Sequence, residues 1–105
     1  MKHDHIEIDG KNYRIEFNWN AISDFCRREG LILSNLDDLA KCTPAQITTL
    51  IHAGIAEGCR LEKVEFPYSE LDLGAMLNPA SIRDITTIYT RHVQAEGLAV
   101  HAKKK

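Results

Sequence analysis

The spacing of apolar residues changes along this chain, and each change marks an element. From His5 to Phe17 (HIEIDGKNYRIEF) the period is two. Ile6 and Ile8 alternate with polar neighbours, and Tyr13, Ile15 and Phe17 do the same beyond Asp9-Gly10. Asp-Gly between two alternating runs predicts a β-hairpin, because both residues tolerate the positive φ of a tight turn. The turn can extend through Lys11 and Asn12, which leaves its type open. A lone two-stranded hairpin with one apolar face is marginal in water, so this one must pack on the helices.

After Phe17 the period lengthens to that of a helix. Asn18 or Asn20 is placed to cap a first helix running to about Glu29, with Gly30 as its stop. Ala21, Ile22, Phe25 and Cys26 form its inward stripe; Asp24, Arg27, Arg28 and Glu29 lie outward. Leu31 to Leu33 make an apolar link to a short helix that begins at Ser34-Asn35-Leu36-Asp37 and ends near Lys41, with Leu36 and Leu39 inward. The strongest pattern comes next, Thr43 to Gly58 (TPAQITTLIHAGIAEG). Thr43 is an N-cap, Pro44 suits the first helical position, and Gln46 completes a capping box. Ile47, Leu50, Ile51, Gly54 and Ile55 share one face, and Gly58 is the expected stop. Gly54 costs about 1 kcal/mol against alanine inside a helix, so its place on the apolar stripe predicts close approach by another backbone.

Cys59 to Tyr68 (CRLEKVEFPY) reads as a connector, since Pro67 argues against a central strand despite the alternation of Val64, Phe66 and Tyr68. Ser69 caps a short helix, SELDLGAML, with Leu71, Leu73 and Leu77 expected to be buried. Asn78-Pro79 opens the last long helix, whose apolar side is Ile82, Ile85, Ile88, Tyr89, His92 and Val93 and whose stop is Gly97. Leu98 to Lys105 is expected to fray. The predicted class is α+β, mostly α: a single domain over 1–105, with a hairpin at about 5–17 packed on a small bundle of about five helices spanning about 19–97.

Composition narrows the function. A net charge of −2 argues against a general nucleic-acid binder. No apolar run approaches the ~18 residues of a membrane span, and MKHDHIEI lacks the apolar stretch of a signal peptide. Cys26, Cys42 and Cys59 are an odd number without a CxxC pair, which suits free thiols in a reducing compartment. A soluble intracellular protein is the expectation.

No pattern along the chain points to catalysis. His52 and His92 lie on helices outside any HExxH pattern and are expected to be partly buried and satisfied. His3, His5 and His101 lie on terminal segments. Asp37-Asp38 suits the acidic first turn of a short helix, and the glycines form no phosphate loop. No catalytic, cofactor-binding or metal-binding residues are assigned. Two features mark candidate partner surfaces. Trp19 is a staple or core residue, the preferred reading, or an exposed anchor; Val64, Phe66 and Tyr68 either pack on the core, again the preferred reading, or present an edge for strand addition.

The order of parts resembles a known family. IxIDGKxYxIxF leads into NAIxxFCRxxG, then LDDLA, then TPAQITTLIHAGIAEG. This is similar to the tail assembly chaperones of long-tailed phages and prophages, in which an IxIxGxxYxxxF hairpin precedes an NAxxxxxxxxG helix and a later helix carries an Ala-Gly step. The matching residues are Ile6, Ile8, Gly10, Tyr13, Phe17, Asn20, Ala21, Gly30, Ala53 and Gly54, within residues 5 to 58. The C-terminal half offers no motif, and Trp19 is not part of the pattern.

The resemblance implies a non-enzymatic protein that binds the aggregation-prone tape measure protein and helps bring tail tube protein to it. It implies action in the host cytoplasm, absence from the mature virion, and room for a homo-oligomer. Such families often make a longer product by ribosomal frameshifting, and Lys103-Lys104-Lys105 suits either an A-rich slippery run or a solubilising basic tail. The alternative is a structural tail or head–tail connector subunit. A small regulatory or nucleic-acid-binding helical domain is a third class, disfavoured by the acidic balance.

Overall fold

The computed structural model describes residues 3–30 and 42–95. The short helix expected near 34–41, the stop at Gly97 and the tail lie outside the described residues. Within them the class is as expected, α+β and mostly α, with one antiparallel hairpin and four helices against the expected total of about five.

The strands are β1 (His5–Ile8) and β2 (Lys11–Arg14), paired with Ile6 opposite Tyr13 and Ile8 opposite Lys11. The loop is Asp9-Gly10 alone, with φ of 54° and 80°. Positive φ at both central residues is what a two-residue type I′ turn needs, and it explains the Asp-Gly pair. Ile15 and Phe17 lie beyond the end of β2 yet are fully buried. Ile15 N–H donates to Asp4 O and Glu16 N–H to Gly54 O, so the chain leaves the sheet by bonding directly to the central helix.

Helix α1 (Trp19–Glu29) is capped by Asn18, whose side chain accepts from the Ala21 N–H, and ends at Gly30 in the left-handed region. Its stripe is Ala21, Ile22 and Phe25, with Cys26 partly buried beside them. Helix α2 (Pro44–Glu62) opens with the full Thr43/Gln46 capping box. It does not stop at Gly58. It continues through Cys59 to Glu62 and ends at Lys63, which adopts φ 60°. Cys59 to Glu62 are therefore helix rather than connector, and Cys59 is a buried helical residue. Short helix α3 (Glu70–Met76) is capped by Ser69, and α4 (Pro79–Ala95) by Asn78.

The glycines of α2 explain its length. A Cβ on Gly54 would sit 2.5 Å from Cε1 of the Phe17 ring, and one on Gly58 would overlap the Arg14 carbonyl. Gly54 receives a ring and a backbone donor; the expected backbone approach is closest at Gly58. Both glycines are there for packing, not termination. The core around this seam comprises Ile15, Phe17, Ile22, Phe25, Leu50, Ile51, Ile55 and Leu73, each about 1.5–3 kcal/mol of burial. From α4, Ile85, Tyr89 and Val93 close it, with Tyr89 edge-on to Phe17 at 5.2 Å.

Candidate functional site

The four residues named as partner contacts separate into two groups. Phe66 and Tyr68 are braces. The Phe66 ring meets Tyr13 at 5.0 Å, Tyr68 at 5.3 Å and His52 at 5.6 Å, nearly all edge-on. Tyr68 donates its hydroxyl to Asp9 Oδ2 at 3.0 Å, and that bond pushes the phenol above its ordinary pKa. The connector thus ties the hairpin turn to α2. Trp19 and Val64 are instead 55% and 52% exposed. Trp19 is the first residue of α1 and no part of the core. Leu71 departs furthest from expectation, at 85% exposed. Leu71 and Leu73 are two apart on a helix, a spacing that puts them on opposite sides, and Leu73 takes the core.

Leu71 borders an open groove of about 630 Å³ between α2 and α3, floored by Ala45, Thr48, Gly74 and Ala75. Glu70 holds this corner together: it accepts from Thr49 Oγ1 at 2.8 Å and pairs with Arg28 at 2.9 Å, so three helices meet on one carboxylate. Arg28 also binds Asp24, so the outward face of α1 is ion-paired. The groove presents small side chains and one projecting leucine, chemistry suited to an apolar partner side chain.

Both interior histidines are satisfied. His52 Nε2 lies 2.9 Å from Tyr68 O. His92 Nδ1 accepts the Phe17 N–H at 3.1 Å, so its proton sits on Nε2 and points to Asp4 Oδ2 at 2.7 Å. Burial raises the Asp4 pKa, but hydrogen bonds from His92 and Arg91 outweigh it and hold the carboxyl below its ordinary value.

Glu57 carries no signal of its own in the sequence. It is 6% exposed and accepts from Asn18 and Asn20 and, at two bonds of 2.8 Å, from Arg60. The Arg60 bonds, against the opposing effect of burial and with help from the two asparagines, bring its pKa down to about 2. The Asn-x-Asn pair opening α1 is the available hint, since the helix needs one asparagine as its cap, Asn18, and leaves Asn20 for another partner. Burial raises the Cys26 and Cys59 thiols, which disfavours nucleophilic thiolates. Among the described residues no cluster of three or more His, Cys, Asp or Glu is placed to hold a metal ion, and no helix is long and apolar enough to cross a membrane.

A second cleft, of about 390 Å³, lies between β1 and α4 and is lined by His5, Ile6, Glu7, Asp84, Ile85 and Ile88. Comparison of the chain with protein-family models, curated proteins and solved structures gives no match.

Proposed function

We propose that this chain is a tail assembly chaperone of a long-tailed phage or prophage, a non-enzymatic protein of the host cytoplasm that holds the tape measure protein while tail tube protein assembles on it. Two things support the reading. The first is the resemblance over residues 5 to 58. Among its matching residues Ile8, Tyr13, Phe17, Ala21, Ala53 and Gly54 are buried in the scaffold of hairpin, α1 and α2, while Gly10 and Gly30 serve a turn and a helix end and Asn20 binds Glu57. The second, which carries the partner assignment, is Leu71 standing 85% exposed beside the small-residue groove of α2 and α3. A client chain that aggregates through apolar segments needs such a surface to shield it.

The test is co-expression with the tape measure protein encoded beside this gene, followed by co-purification. The expected result is a soluble complex, lost on Leu71→Lys while the variant stays folded. A tape measure protein that remains in the pellet beside well-folded wild-type chain refutes the chaperone role. A complex that tolerates Leu71→Lys keeps the role and moves its surface elsewhere. Presence of the chain in purified virions would instead favour the structural-subunit alternative.

A further inference from the structure

The hairpin has two edges with different neighbours. On β2 the outer edge is covered at its end, where the Arg14 carbonyl lies against Gly58 and the Glu16 N–H donates to Gly54 O. On β1 it is open. The register decides which groups point outward. Asp4 O accepts from Ile15 N–H, and Ile6 and Ile8 face Tyr13 and Lys11 across the ladder. Inward and outward bonding alternate along a strand, so the N–H and C=O of His5 and Glu7 point away from β2. Among the described residues these outward groups meet no backbone partner. His5 and Glu7 line the 390 Å³ cleft, whose other side comes from α4.

The walls of the cleft specify its occupant. Ile6, Ile85 and Ile88 line the same cleft, an apolar floor for every second side chain of an added strand. On the rim stand Glu7 and Asp84, carboxylates that make no ion pair among the described residues. We infer that the outer edge of β1 is a docking site for one extended segment of a partner protein, alternating apolar and basic residues, which adds as a third strand between β1 and α4. The hydrogen bonds of His5 and Glu7 supply register, the isoleucine floor takes the apolar side chains, and the two rim carboxylates take the basic ones. This site is separate from the groove of α2 and α3 and holds whether or not that groove serves a tape measure protein.

The probe is a labelled synthetic peptide alternating valine and lysine, titrated into the full chain by fluorescence anisotropy and followed by amide NMR. Saturable binding is expected, weakening with added salt, with the largest shifts at the His5, Glu7 and Ile88 amides. Glu7→Pro removes an outward donor without touching the ladder to β2 and is expected to weaken binding about tenfold. Asp84→Lys, on the exposed face of α4, is expected to weaken it while leaving the circular dichroism spectrum unchanged. Four results would each overturn the site: no saturable binding, equal binding of a scrambled peptide of the same composition, equal binding of a valine–glutamate peptide, or indifference to Asp84→Lys. Strong protection of the His5 and Glu7 amides from hydrogen exchange in the free protein would do so too, since the edge would then be covered by this chain or a second copy.

Discussion

The two halves of α2 have opposite surroundings. From Ala53 to Cys59 nearly every residue is buried, and two glycines let the hairpin press against the helix until no room remains for a methyl group. From Pro44 to Thr48 the same helix is partly exposed and, with α3, borders an open groove. One half is packed to its limit; the other retains accessible surface. Stability and recognition are thus assigned to different turns of a single helix, and substitutions along it should separate them.

The sharpest way to break that contrast is Gly58→Ala. The added methyl meets the Arg14 backbone, which cannot rotate away, so a loss of about 3 kcal/mol or more is expected in urea unfolding despite the better helix propensity of alanine. A variant within about 0.5 kcal/mol of the parent would mean the seam is not tight. Glu57→Ala comes next, at about 2 kcal/mol, because Asn18 and Asn20 lose their shared acceptor. Its pH behaviour is set by the sign of the shift. The folded carboxyl sits at about 2 against an ordinary 4.5, so its contribution is fully present above pH 4.5 and is lost as pH falls toward 2. Glu57→Gln should flatten that acid limb, and an unchanged slope would remove Glu57 as its source. Gly54→Ala is expected to cost only about 1 kcal/mol, since the obstacle is the Phe17 ring and helix propensity offsets part of the overlap. Leu71→Lys on the other side of the comparison should move stability by less than about 0.5 kcal/mol. A larger loss would show that Leu71 is part of the packing after all.

Local chemistry is legible in the sequence. The Thr43, Pro44 and Gln46 cap, the Asn78 and Ser69 caps and the Asp9-Gly10 turn depend on neighbours three or four residues away, and all form where expected. Gly58 differs from expectation because a glycine that ends a helix and one that admits another backbone look alike until the second strand is in place. The true end, Lys63, carries no such signal: a lysine rarely takes positive φ. Of the candidate contacts, Phe66 and Tyr68 pack on the core as preferred, whereas Val64 and Trp19 are exposed against the preferred reading of each. Glu57 is hard to read in the sequence because, Arg60 apart, its partners Asn18 and Asn20 lie 39 and 37 positions away. The exposure of Leu71 is readable from its spacing to Leu73, once the angle between them is weighed above the apolar character of both.

The contact between His92 and Asp4 has a consequence in time as well as in space. It joins positions 88 apart, and the bond from Phe17 to the same ring spans 75. A hairpin closes in about 1–10 μs because its loop is short, whereas contacts this distant form only after the intervening chain has been drawn together. The ring of His92 is therefore expected to engage after the folding barrier. Replacing it with asparagine should raise the unfolding rate and leave the refolding arm of the chevron where it was. On that expectation the contact is a latch, adding little to the speed of assembly and slowing the opening of the assembled domain.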